Sequence, residues 1–252
     1  MNPIFRKPLI AGNWKMYKSV HEAVETAKEL VQYVSTEDPE VMIAPPFTAL
    51  ASVADVVKGT LVGLGAQNLF WKKEGAYTGE ISPLMLTDSG CRYVIIGHSE
   101  RRQYFAETDA SVNSKIRAAL EYQLIPVFCV GETESQREAQ ETFSVLDKQV
   151  TKGLEGFSSE ALSSLVIAYE PVWAIGTGKT ASTDQIQEVH AFIRTLIEKR
   201  LDNLLAKSVR ILYGGSVKPE NISEIMKLPD VDGALVGGAS LSAATFNRII
   251  HF

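Results

Sequence analysis

Five polar clusters each follow directly on a short apolar run: Asn13-Trp14-Lys15, Gly97-His98-Ser99-Glu100-Arg101-Arg102, Tyr169-Glu170-Pro171, Gly214-Gly215-Ser216 and Gly237-Gly238. Together they offer a carboxylate that can serve as a base, an imidazole that can serve as acid or electrophile, a lysine cation and two Gly-Gly turns. Glycine lets backbone N–H groups approach an anion closely, and a helix N-terminus behind the turn adds a favourable dipole end. Such a set suits proton transfer on a small phosphorylated substrate. Taken singly, each cluster also has an ordinary reading. His98 could be a hydrogen-bonded strand-end histidine, Glu170 could cap a turn, Asn13 could bond its own backbone, Lys15 could be solvated, and the glycine pairs could simply make tight turns.

The elements that would position these residues are legible as eight short, β-rich apolar runs: Leu9 to Gly12, Val41 to Ala44, Leu61 to Ala66, Tyr93 to Gly97, Ile125 to Val130, Leu165 to Tyr169, Val209 to Tyr213 and Gly233 to Val236. They lack the polar alternation of a half-wet sheet, so they read as parallel strands covered by helices. Between them lie amphipathic segments with helix signals. Ser182 and Gln185 have capping-box spacing ahead of Ile186, Val189, Ile193, Leu196 and Ile197, and Pro219 suits a first helical turn. An open doubly wound sheet would show the same local alternation, but eight strand–helix units favour closure into a single-domain (β/α)8 barrel spanning 1–252. Catalytic residues of parallel α/β folds gather where strands end, which is where the five clusters fall.

Bulk properties narrow the function. The chain has 252 residues, 45% hydrophobic and 22% charged, enough apolar material for a packed core. A net charge of -5 argues against a nucleic-acid grip, though not against a small anion held by local geometry. Cys91 and Cys129 form no C-x-x-C pair, so neither a zinc site nor a disulfide framework is expected, and Cys129 reads as a packing residue. The stretch Met1 to Pro8 has no signal-peptide apolar region, and no run approaches the roughly 20 residues of a membrane span. A cytoplasmic protein with no membrane partner is the expectation.

The uninterrupted segment Ala168-Tyr169-Glu170-Pro171-Val172-Trp173-Ala174-Ile175-Gly176-Thr177-Gly178-Lys179-Thr180-Ala181 resembles the base-and-lid signature of the triosephosphate isomerase family. Gly97 to Arg102, Asn13 to Lys15, Tyr213 to Val217 and Gly233 to Ser240 are similar to that family's other motifs, in the same order, so the resemblance covers the whole chain. It implies interconversion of dihydroxyacetone phosphate and D-glyceraldehyde 3-phosphate through an enediol or enediolate, without metal or coenzyme. Under it Glu170 is the base, His98 the electrophile, Lys15 and Asn13 stabilise oxyanion charge, and Glu100 supports them. The pairing of a carboxylate base with a neutral histidine is a familiar property of this family rather than something spacing reveals. Pro171 to Ala181 would be a lid, with Gly176, Ser216, Gly237 and Gly238 cradling the phosphate, and its closure would keep water from the intermediate.

The stretch Gln67 to Glu80 holds three aromatics, Phe70, Trp71 and Tyr77, a large apolar load for an exposed loop. The resemblance implies that it docks into a second copy, making a homodimer with Thr78 near the partner's active site. Met16-Tyr17 after the lysine and Tyr77 in place of phenylalanine depart slightly from the family pattern and bear on subunit affinity alone. Two other classes compete. A phosphate-binding barrel aldolase or lyase would need a Schiff-base lysine at a strand end, where lysines are scarce apart from Lys15. A binding protein that had lost the chemistry would lack the base or the histidine, and both are present.

Overall fold

The computed structural model describes residues 6–176 and 178–252, so Thr177 of the expected lid lies outside the described residues. Eight parallel strands, β1 (Leu9–Asn13), β2 (Glu40–Ala44), β3 (Val62–Ala66), β4 (Tyr93–Ile96), β5 (Ile125–Val130), β6 (Val166–Tyr169), β7 (Arg210–Tyr213) and β8 (Gly233–Val236), close into a barrel in sequence order. Closure is made by β1 pairing with β8, Leu9 opposite Gly233 and Gly12 opposite Val236. The expected runs match these strands to within a residue or two at each end. Asn13 is drawn into β1, whereas Gly97 falls outside β4 because its φ of 75° is incompatible with a strand.

Two apolar clusters explain why the runs are apolar on both faces. One lies between strands and helices, and the other fills the barrel with alternate strand residues: Leu9 and Ala11, Met42 and Ala44, Tyr93 and Ile95, Val127 and Cys129, Val166 and Ala168, Leu212 and Leu235. β3 adds no side chain to the interior. Its inward positions are Gly63 and Gly65, where an added Cβ would stand 3.0 Å from the Tyr93 ring and 2.6 Å from the Met42 sulfur. The large inward residues of β2 and β4 thus occupy the space that β3 leaves. At the opposite end from the clusters of interest, Glu40 ties the barrel floor together by accepting hydrogen bonds from the Tyr93 hydroxyl and the Arg210 guanidinium.

The helices carry the expected caps. Ser182 and Gln185 form a reciprocal capping box at the head of the helix Thr183–Arg200, whose buried face holds Ile186, Val189, Ile193, Leu196 and Ile197. Pro219 stands ahead of the short helix Ile222–Ile225, in a turn closed by the Ile222 N–H donating to the Lys218 carbonyl at 3.1 Å. It therefore starts a helical turn without being inside the helix proper. Among the described residues no helix is long and apolar enough to cross a membrane.

His190 on that long helix is fully buried, with Nδ1 3.3 Å from the Asp230 carbonyl and Nε2 without a partner among the described residues. Burial lowers it from the usual histidine value near 6.5 to about 4. Between those values the unfolded chain takes up a proton that the folded chain refuses, so stability falls as pH drops through the window, by about 3 kcal/mol in all. Denaturant midpoints measured from pH 7 to pH 4 are expected to decline more steeply for the parent than for His190→Gln; identical slopes would acquit His190.

Candidate active site

The strand pleat decides which residues look into the barrel mouth. Inward positions alternate, so continuing β1, β3, β6, β7 and β8 by one inward step reaches Asn13, Gln67, Glu170, Gly214 and Gly237. β4 would by the same count aim His98 outward. The left-handed turn at Gly97 breaks the alternation and sends the imidazole inward instead. Asn13, Lys15, His98, Glu170, Gly176, Ser216, Gly237 and Gly238 consequently line one cavity of about 350 Å³. All eight were expected at the site from sequence. Glu100 is absent from that lining but touches two of its members. Thr78 is exposed on its loop and belongs to no part of this cavity.

Glu170 is the centre of the arrangement, 2% exposed. One oxygen lies 2.9 Å from His98 Nε2, and the other accepts the Ser99 backbone N–H at 2.9 Å. Burial alone would push this carboxyl up, but the charge and hydrogen bond of His98, the Ser99 N–H and Lys15 outweigh it and hold the group below the ordinary glutamate value. For His98, burial opposes the charged ring, whereas Glu170 and Glu100 lift it above the usual histidine value against the opposing Lys15. Its Nδ1 accepts the Glu100 backbone N–H at 3.2 Å, which requires a lone pair there. The proton therefore sits on Nε2, shared with Glu170, and the two groups titrate as a pair.

Lys15 adopts a φ of 50° and places its ammonium 2.7 Å from Glu100 Oε1. It is neither free nor simply solvated. Its carbonyl accepts Gln67 Nε2 at 2.8 Å, and the same amide nitrogen donates to the Ala44 carbonyl at 2.9 Å, so Gln67 pins the loop after β1. Asn13 Oδ1 accepts the Lys15 N–H at 3.0 Å, the local turn that its residue type favours. That bond orients the amide and leaves its NH₂ end as the donor toward the cavity. Cys129 is fully buried in the barrel interior, and burial raises its thiol well above the normal range, so it packs and does not attack.

The segment after Glu170 begins with a turn of 3-10 helix, Val172–Ala174, and then runs through Gly176 and Gly178 with φ of 70° and 80°. Beneath it lies Glu132, fully buried, whose Oε1 accepts Trp173 Nε1 at 2.8 Å and the Tyr169 hydroxyl at 3.1 Å, with Arg137 at 3.4 Å. Farther along, Lys179 pairs with Glu134. Sequence reasoning missed Glu132, although the signal was available. It stands two residues beyond the end of β5, where the strand-end rule points. Gly131 beside it is equally constrained, because a Cβ there would collide with the Glu170 carbonyl oxygen.

A closed parallel barrel with a buried carboxylate and imidazole on its C-terminal rim, facing glycine turns, defines a barrel enzyme equipped for proton transfer. The sequence profile of the triosephosphate isomerase family matches residues 8–252, and the chain belongs to that family, whose members are isomerases. It is 54% identical over 248 residues to the triosephosphate isomerase of Geotalea uraniireducens, covering 98% of this chain and 99% of that one. It is 55% identical over 248 residues to the enzyme of that name from Chloroflexus aurantiacus, with the same coverage. The crystal structure of triosephosphate isomerase from Bartonella henselae superposes with a TM-score of 0.88 at 40% identity, covering 96% of this chain and 97% of that chain.

Replacing His98 by Gln removes the imidazole, the partner that most favours the ionised form of Glu170, while keeping a neutral donor. The Glu170 carboxyl, followed by carbon NMR as pH is lowered, is expected to take up its proton at a higher pH in His98→Gln than in the parent. A titration that stays put or moves down would show that Ser99 and Lys15 alone set it.

Proposed function

We propose that the barrel interconverts dihydroxyacetone phosphate and D-glyceraldehyde 3-phosphate, the family's reaction in glycolysis and gluconeogenesis, with Glu170 as the base. Its carboxylate takes the proton from the hydroxyl-bearing carbon of the ketose, and the electron pair moves to the neighbouring carbonyl as an enediolate. Returning that proton to the former carbonyl carbon, with a hydroxyl proton moved between the oxygens by His98, completes the aldose. The His98 Nε2–H polarises the carbonyl, while the Lys15 ammonium and the Asn13 amide stabilise the oxyanion. Glu100 positions Lys15 and, through its backbone N–H, the His98 ring. One observation carries this reading: the ionised carboxylate and the Nε2–H imidazole stand 2.9 Å apart on the wall of one small cavity.

Ser216, Gly237 and Gly238 form the phosphate cradle, and Gly176 adds its N–H when Pro171 to Ala181 closes as a lid. The open, left-handed glycines at 176 and 178, next to which an added Cβ would meet nothing within 4 Å, leave that backbone room to move. Closure keeps water from the enediolate. The chemistry needs no metal or coenzyme, because the charge it develops is met by side-chain and backbone donors.

The functional unit is a homodimer of one-domain chains working in the cytoplasm. Exposed apolar side chains support this assembly: Met16 and Tyr17 after β1, Tyr77 after β3, and Tyr104 and Phe105 at the end of the short helix after β4, all in segments that follow strand C-termini. In the loop Gln67 to Glu80, Phe70 stacks on Trp71 and Tyr77 with centroids 4.2 and 4.5 Å away, giving a preformed aromatic knob. Thr78 beside it would enter the partner's site region. Light scattering should give twice the chain mass, and a monomer at micromolar concentration would sink the dimer.

A coupled assay with purified chain and no added metal or nucleotide is expected to show rapid isomerisation. Glu170→Asp keeps the charge but withdraws the base by about one methylene, which should lower turnover on the order of 10²-fold or more. Unchanged turnover in that variant would remove Glu170 from the mechanism.

A further inference from the structure

The cavity that would take a phosphate dianion is short of available positive charge. Its charged lining consists of Lys15, His98, Glu170 and Lys218. The Lys15 ammonium is neutralised by Glu100 at 2.7 Å, and the His98–Glu170 pair, with one proton between them at 2.9 Å, carries a net negative charge. The chain as a whole stands at -5. An approaching dianion therefore meets repulsion unless a further cation acts on it. Lys179 on the lid segment is paired with Glu134 and does not line the cavity.

Lys218 fills this gap. It is exposed, two residues beyond Ser216, and its backbone N–H donates to Asn221 Oδ1 at 2.8 Å, which fixes where the side chain leaves the loop. The carboxylate nearest in sequence, Glu220, is engaged by Arg248 at 3.2 Å, and among the described residues no carboxylate forms an ion pair with Lys218. A merely solvated lysine would be just as exposed, but it would not share the wall of this cavity with Ser216, Gly237 and Gly238.

We propose that Lys218 is the anion-capture residue of the site, an unpaired ammonium at the rim that draws the substrate's phosphate dianion from solution toward the backbone cradle. The proposal rests on the reading of this site as one for triose phosphates, and it assigns the residue to substrate capture rather than to the proton transfers. Its effect belongs to kcat/KM and to phosphate affinity, and it weakens as salt screens the charge.

The test compares parent, Lys218→Gln and Lys218→Arg in two measurements. The first is kcat/KM for D-glyceraldehyde 3-phosphate from about 0.02 to about 0.5 M ionic strength; the second is calorimetric binding of inorganic phosphate to the same proteins at low salt. Lys218→Gln is expected to lose roughly fivefold in kcat/KM at the lowest ionic strength, with the gap closing as salt rises, and to lose phosphate affinity by a similar factor. Lys218→Arg should stay near the parent in both. Equal salt slopes and equal phosphate affinities in parent and Lys218→Gln overturn the proposal. A parent protein that binds phosphate through Lys218 but isomerises nothing upholds capture while overturning the isomerase reading, so the two failures are distinguishable.

Discussion

A carboxylate withdrawn almost completely from water has to be held in its charged form by its neighbours, and the architecture around Glu170 meets that demand. Two of its partners are supplied by a single stretch, the turn after β4, where the His98 ring reaches one oxygen and the Ser99 N–H the other. That stretch can do both because Gly97 adopts a left-handed turn, and the turn is itself clamped. Arg102 Nε donates to the Gly97 carbonyl at 2.8 Å, and its guanidinium also meets Asp109 at 2.6 Å. On either side of β6, the Glu170 N–H donates to the Val130 carbonyl at 2.8 Å, and the Gly214 N–H to the Tyr169 carbonyl at 2.7 Å. The ladder between strands thus continues past the strands and fixes the backbone from which Glu170 projects. The ionised side chain rests on backbone held by both neighbours of β6.

Close approach explains where glycine is spent. Gly131 faces the Glu170 carbonyl oxygen, and a Cβ on Gly214 would lie 3.0 Å from the Glu170 side chain. A Cβ on Gly215 would strike the Tyr213 hydroxyl and come within 3.0 Å of the Pro171 ring. These three glycines make room for the base and the root of the segment behind it. Gly238 differs, because a Cβ there would meet nothing, so its lack of a side chain leaves space facing the cavity. Glycine at one strand end serves packing, and at the next it keeps the approach to a ligand open.

The barrel was legible because each strand is buried on both faces, so apolar runs announced strands without ambiguity of period, and eight of them left few topologies. Residues that obey the inward alternation, Asn13, Glu170 and Gly237, were legible for the same reason. Gln67 obeys it too, yet its part in pinning Lys15 was invisible, because that bond spans 52 positions and joins a side chain to a backbone carbonyl. Glu132 was hidden by its plain context between Gly131 and Thr133. Only the fold brings Tyr169, Trp173 and Arg137 onto it. Long-range side-chain hubs leave no periodic trace, whereas strands and caps are local patterns and do. The chemical identity rested on ordered motifs, since a histidine, a glutamate and paired glycines fit several enzyme classes.

The site is electrically closed on itself. Lys15 is taken by Glu100, and the His98 proton is taken by Glu170, so neither cation nor donor is free to meet an oxyanion. A substrate must therefore break or share both pairings before any proton moves, and a small carbonyl compound has little binding energy with which to do so. The phosphate group supplies it. Ser216, Gly237 and Gly238 line the same cavity as Glu170, and under the proposed function a phosphate bound there supplies the energy for that rearrangement. On the proposed reading, glycine turns serve there better than arginines would. A cation placed beside Glu170 would hold the carboxyl ionised but lower its basicity, whereas neutral dipoles grip the dianion and leave the base its strength.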